Sequence, residues 1–349
     1  MRPVRGLAVV LASALAAAGP VAALVPLAAT PAAAQPAERK AAEARSEKSD
    51  GSGAAERDRL NGFVISRQLV DRDDIIPGGP PRDGIRSIDA PEFTSVEEAT
   101  WVDDTTPVLG VVVGGDARAY PVHLMDYHQI ANDVVGGVPI VVTWDPLTGV
   151  PLAFERTVDG RVLEFGVSGL LYNSGFLMYD RETESLWSQF LGQAVSGPLS
   201  GRKLKRVRIR QEDLASWRTR VGTTKVLVRP LPKSIDYRFS PFERYIVEDA
   251  IRYPVKARDE RFHAKELVLG VVVDGKARAY LGSVLTREGG WVEDVFRGRK
   301  ITIDYSTELS VFRWEAPDDV EVTEAYWFAW KAFHPDTEVW KAENAAKRN

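Results

Sequence analysis

The sequence predicts a β-rich α+β protein built from two unequal copies of a strand-hairpin, helix and strand unit, and three observations carry that prediction. Residues 108–156 read VLGVVVGGDARAYPVHLMDYHQIANDVVGGVPIVVTWDPLTGVPLAFER, in which short apolar runs are separated by Gly-Gly and Gly-containing turn pairs. Such pairs supply the positive φ that tight hairpins require. The segment VLGVVVDGKARAY at 268–280 then repeats 108–120 at 11 of 13 positions, with the hairpin length kept and Asp-Gly in place of Gly-Gly. From about Asn61 onward, Val, Ile, Trp, Tyr and Phe recur at the short intervals of strands.

The elements follow in order. Residues 61–105 are turn-rich, broken at Pro77-Gly78-Gly79-Pro80-Pro81, with a short helix expected at 95–99 capped by Thr94 or Ser95. Strands 108–113 and 117–120 flank Gly114-Gly115-Asp116, and Pro121 opens a helix expected to run through Ala131. Leu124, His128 and Ala131 share one face of it by their i, i+4, i+7 spacing. Residues 138–144 are nearly all apolar, as in a buried strand, and the loop Asp145-Pro146-Leu147-Thr148-Gly149 follows. A hairpin is expected from 150–156 and 161–167, then short strands at 176–180 and 185–190.

Arg206, Arg208 and Arg210 alternate with Val207 and Ile209, so they share one strand face, either a solvated outer surface or an anion-binding stripe. No aromatic residues interleave with them, which removes nucleic acid from the expected partners. A helix near 212–218 and a strand at 225–228 close the first copy. In the second copy, 292–295, 300–305 and 330–339 echo 131–134, 139–144 and 217–226. It lacks a counterpart of 166–189, and Glu288 or Gly289 stands where His128 would fall.

The expected organisation is a signal peptide at 1–34, a disordered linker at 35–60, a complete first repeat at 61–229, a connector at 230–262 and a shortened second repeat at 263–349. Arg2 and Arg5 precede an Ala/Val/Leu-rich run that ends in Ala32-Ala33-Ala34, the order of a cleaved export signal. Pro20 and Pro26 interrupt that run, so no stable membrane span is expected after cleavage. The location implied is periplasmic or extracellular. Residues 36–58 carry no aromatic side chain and cannot offset their ordering entropy by burial. The chain has no Cys, which excludes disulfides, thiol nucleophiles and any thiol-ligated cofactor. A net charge of −4 gives no general attraction to polyanions.

Several motifs resemble the bacterial domain-of-unknown-function family 3179. They are Ala117-Arg118-Ala119-Tyr120-Pro121, His128 to Asp133, Gly136-Gly137-Val138-Pro139, FGVSGLLYNS at 165–174 and MYDRETESLW at 178–187. The resemblance implies no established activity. Members of that family carry a Cys-Pro-Leu-Cys-like loop after the buried strand, where this chain has Asp145-Pro146-Leu147-Thr148. With Asp145 and Thr148 in place of those two Cys, the resemblance implies either a relative kept for binding or a variant with oxygen ligands.

The candidate ligand-binding residues are His128, Asp133, Asp145, Asn173 and Ser174, with His128 and Asp145 also the candidate metal ligands. His128 reads either as a core histidine bonded to a backbone carbonyl or as a ligand or acid–base group. Asp145 reads as a turn residue or as a site carboxylate. Asn173 and Ser174 read as groups satisfying local backbone or as part of the cavity. His123 lies five residues before His128, about 140° around the helix, so the two are not a zincin pair. Gly166-Val167-Ser168-Gly169-Leu170 lacks the last Gly of a nucleophile elbow, and neither a P-loop nor a dinucleotide fingerprint is present. The leading expectation is an exported, soluble binding or accessory protein whose partner is a small molecule or an exported protein. The alternative is a metal-dependent hydrolase or oxidoreductase that uses His128 with carboxylates and a divalent metal.

Overall fold

The computed structural model describes residues 59–230 and 235–341. The expected signal peptide and the linker up to residue 58 lie outside the described residues. A small ribbon of Arg59–Leu60 against Phe63–Val64 opens the described chain.

In chain order the strands of the larger sheets begin with β1 (Ile76–Pro77), β2 (Phe93–Ser95), β3 (Pro107–Val113) and β4 (Asp116–Pro121). Helix α1 (Val122–His128) leads to β5 (Ile130–Val135), β6 (Val138–Asp145) and β7 (Val150–Glu155). Next come β8 (Phe165–Tyr172), β9 (Gly175–Asp180), β10 (Leu186–Ser188), β11 (Gln193–Ser196), β12 (Lys205–Val207) and β13 (Ile209–Asp213). Helix α2 (Leu214–Val221) and β14 (Lys225–Leu227) are followed by α3 (Glu243–Val247). The last part holds β15 (Leu267–Val273), β16 (Lys276–Leu281), α4 (Gly282–Arg287), β17 (Trp291–Phe296), β18 (Arg299–Ser306) and β19 (Val311–Glu315). It closes with β20 (Glu321–Tyr326), α5 (Trp327–Phe333) and β21 (Glu338–Val339).

Their sheets run β11-β10-β9-β8-β1, β12-β7-β6-β5, β13-β3-β4-β14-β2, β20-β15-β16-β21 and β17-β18-β19. The protein is β-rich with few, short helices, as the sequence indicates, but its sheets have a five-bladed, propeller-like arrangement rather than that of two copies of one unit. The physical reason is that similar hairpins are dealt out among different sheets, while β8 to β11 form a sheet of their own with β1.

What recurs is local. The β3–β4 and β15–β16 hairpins share one register, Val108 opposite Pro121 and Val268 opposite Leu281. Gly110 lies under the Trp217 ring, where a Cβ would come to 2.5 Å, and Gly270 lies under Trp330, where it would come to 2.2 Å. Neither position has room for a side chain. Tyr120 donates to Asp133 and Tyr280 to Asp294, each at 2.6 Å, tying each hairpin to the next strand. The hairpin turns at 114–115, 136–137, 274–275 and 297–298 put both central residues at positive φ, the primed turn that matches strand twist.

Three local expectations are corrected. In place of a helix at 95–99, Ser95 ends β2, which β14 draws into its sheet, and residues 96–98 form a turn. Helix α1 stops at His128, since Gln129 takes a left-handed φ of 58° and its N–H closes on the Met125 carbonyl, so Ala131 belongs to β5. The hairpin expected from 150–156 and 161–167 is only a two-stranded ribbon, Thr157–Val158 with Arg161–Val162; the main partner of β7 is β6.

The three alternating arginines are neither a solvated face nor an anion stripe. Arg206 donates to Thr323 Oγ1 at 2.8 Å, and Arg208 donates to the Ala316 and Pro317 carbonyls at 3.0 Å each. Arg210 donates to the Trp314 carbonyl and to Glu315. They clamp β12 and β13 onto the end of β19, the turn after it and β20.

Candidate functional site

Helix α1 places three consecutive residues, Asp126, Tyr127 and His128, along one cavity of about 450 Å³. Ile85 and Arg86 line it from the preceding loop and Phe242 from the connector. A second cavity of about 300 Å³ shares Arg86 and His128 with the first. A third, of about 190 Å³, shares Ile85 and Phe242 and brings in Gln129 and Leu147. His128, only 3% exposed, therefore stands where two cavities meet.

Its protonation follows from its partners. Nδ1 lies 2.7 Å from the Arg86 carbonyl, which has no proton to give, so Nδ1 carries the hydrogen. Nε2 lies 2.8 Å from the Tyr237 hydroxyl. Burial lowers the imidazole below its ordinary pKa of 6.5, against the opposing bond to Arg86, so the ring is neutral at pH 7 and Nε2 accepts. Tyr237 stacks edge-on against Tyr127 with ring centroids 5.3 Å apart, and the Tyr127 hydroxyl donates to the Asp236 and Phe239 carbonyls. The connector is thereby pinned over α1.

Asp126 is the residue that sequence reading missed. Burial raises its carboxyl above the ordinary range, while hydrogen bonds from Ser240 and Trp144 pull it back. The Trp144 indole donates to Oδ1 at 2.7 Å. Two positions apart on an ideal helix point away from each other, so Asp126 gave no reason to be grouped with His128. Both line the cavity because it wraps the end of a seven-residue helix.

The other candidate residues hold the frame. Asp145 is fully buried, with Oδ1 accepting from the Leu147 amide and Oδ2 from the Phe176 amide, each at 3.0 Å. It fastens the β6–β7 turn to β9. Burial raises its pKa to about 6. Asp133 accepts from Tyr120 and from the Val134 amide. Asn173 and Ser174 are the two positive-φ residues of the β8–β9 turn. Asn173 Oδ1 accepts from the Lys256 amide, and Ser174 Oγ donates to the Tyr253 carbonyl, which moors the connector.

The donor set does not fit a metal. Both His128 nitrogens and both Asp145 oxygens are engaged elsewhere. Among the described residues no group of three His, Asp or Glu side chains converges to hold an ion. Within the same residues no helix is long and apolar enough to cross a membrane.

The family model described as "Protein of unknown function (DUF3179)" matches residues 82–317, more than half of the chain. The span contains α1, the β6–β7 turn and the connector that covers His128. No curated protein and no solved structure matches the chain.

Proposed function

We propose that this chain, which belongs to the DUF3179 family, is an exported protein that binds a small molecule in the cavity beside His128. The observation that carries the reading is the meeting of Asp126 and neutral His128 on a pre-formed cavity of about 450 Å³ with walls of Ile85, Tyr127 and Phe242. Mostly apolar concave sites with a few convergent polar groups are the usual form of ligand pockets. A buried carboxyl held by Trp144 and Ser240 is a fixed acceptor, so the ligand offers a hydroxyl or amine hydrogen to Asp126 and a small apolar body to Ile85 and Phe242.

Thermal-shift screening of small alcohols, amines and amino-alcohols with an apolar ring tests it. Compounds that raise the melting temperature of the wild type should have no effect on Ile85→Trp, which fills the cavity, and a reduced effect on Asp126→Asn. Equal shifts in Ile85→Trp, or no shift in the wild type, would sink the reading.

Export rests on the order of basic, apolar and Ala-Ala-Ala segments in residues 1–34. N-terminal sequencing of the chain made in its own cell should find a start near Gln35 outside the cytoplasm. An intact Met1 on cytoplasmic protein contradicts it.

A further inference from the structure

Two strands of this protein occupy the same local setting but differ in what covers them. Strand β5 follows the first hairpin and α1, and β17 follows the second hairpin and α4. Asp133 in β5 and Asp294 in β17 accept the same tyrosine bond at 2.6 Å, so Ile130 corresponds to Trp291 and Asn132 to Glu293. Each strand is at the margin of its sheet.

At β5 that margin is closed. Residue Ile88 pairs in parallel with Ala131, its N–H donating to the Ile130 carbonyl and its carbonyl accepting from the Asn132 amide, both at 2.8 Å. Asp89 receives the Asn132 side-chain amide at 2.8 Å. Ile130 and Asn132 are buried as a result.

At β17 the only strand partner among the described residues is β18. Backbone groups alternate in direction along an antiparallel strand, so the Trp291 carbonyl and the Glu293 amide point outward, as those of Ile130 and Asn132 do. The Val295 amide is already taken by Asp294, as the Val134 amide is by Asp133. Trp291 is 59% and Val295 63% exposed. Natural edges are usually blunted with charged side chains, Pro or a bulge; Trp291–Phe296 carries no Lys, Pro or bulge, and Glu293 is its one exposed charge.

We propose that the β17 edge receives an extended segment of a partner protein, added in parallel as Ile88 is bridged to β5. An apolar residue takes the place of Ile88, and a Lys or Arg takes the place of Asp89. The charge follows from Glu293, which stands where Asn132 meets Asp89; its carboxylate pairs with Lys300 of β18 at 2.7 Å but stays exposed, so an incoming cation shares it. A second copy of this chain is disfavoured, because a two-fold pairing that sets Trp291 against Val295 also sets Glu293 against Glu293. Main-chain bonds to the open row supply affinity and the side-chain alternation supplies selectivity.

The test titrates the full chain with two peptides, GIRSIDAPEF, which is the sequence of residues 84–93, and the same peptide carrying Asp89→Arg. The Arg peptide should bind roughly fivefold tighter, the swing between opposite and like charges facing across strands. Glu293→Lys should reverse that order, and Trp291→Ser should weaken both peptides. Glu293 and Trp291 are exposed, so both variants leave the core intact. Equal binding of the two peptides, an order unchanged in Glu293→Lys, no binding of either, or a self-association abolished by Trp291→Ser would each overturn the proposal.

Discussion

Replacing Glu324 with glutamine is expected to abolish most of the stability loss that the wild type suffers between pH 6.5 and 8. Glu324 is buried on β20, and burial, with the Glu212 carboxylate adding to it, raises its pKa to about 8. Glu212 is itself held by Arg220 at 2.7 Å. A carboxyl whose folded pKa is raised contributes stability that is fully present below its unfolded value of 4.5 and is lost as pH rises through the folded value.

Three other buried groups act mainly below this window. His123 and His334 are both lowered to about 4 by burial, so in the folded state they titrate at acid pH, and Asp145, half ionised at about 6, changes little in the upper part of the window. Across the window from 6.5 to 8, Glu324 should cost the wild type about 2 kcal/mol, at 1.36 kcal/mol per pH unit. By pH 8 the accumulated cost is about 4 kcal/mol. Chemical denaturation at several pH values reads this directly. The variant's midpoint should stay level across the window and exceed that of the wild type at pH 8. Parallel pH profiles for the two proteins would show that Glu324 does not titrate there.

The second large effect is expected at Asp145. In Asp145→Ala the Leu147 and Phe176 amides lose their acceptors in the interior. Each unsatisfied buried amide costs about 1–3 kcal/mol, so the variant should lose roughly 2–6 kcal/mol. Asp145→Asn should fall between the two, since its carbonyl keeps one amide and its NH₂ faces the other. Urea denaturation should show a lower midpoint with an unchanged slope. A variant as stable as the wild type that no longer binds a cavity ligand would make Asp145 a ligand-binding residue instead of a fastening.

The hairpins were legible because Gly-Gly, Asp-Gly and Val-Asp-Gly signals fix a two-residue turn by backbone sterics alone. At Gly136 a Cβ would lie 2.1 Å from the Val113 carbonyl, so the residue type itself records a contact between two turns. The α1 helix was legible from Pro121, but not its end at Gln129, because a left-handed glutamine follows no local preference. The repeated motif was visible too, yet it fixed hairpins and not the arrangement of sheets, which depends on which distant strands pair. The arginine clamp was hidden for the same reason. Alternation places Arg206, Arg208 and Arg210 on one side, whereas the carbonyls and hydroxyl they meet lie 104–117 residues later. At the site, His128 was found from its helix face. Asp126 and the wall at Phe242 were not, because the connector that completes the cavity has no periodicity to read.

The measurement that tests the binding account most directly is the ¹⁵N spectrum of the His128 imidazole, assigned by comparison with His128→Gln and followed as a thermal-shift hit is added. The account predicts a neutral ring at pH 7 with hydrogen on Nδ1 and a lone pair on Nε2. Both resonances should move on addition of the compound and stay fixed in Ile85→Trp, whose cavity is filled. A ring charged at pH 7, or a hit that saturates the protein while the His128 resonances do not move, would contradict it.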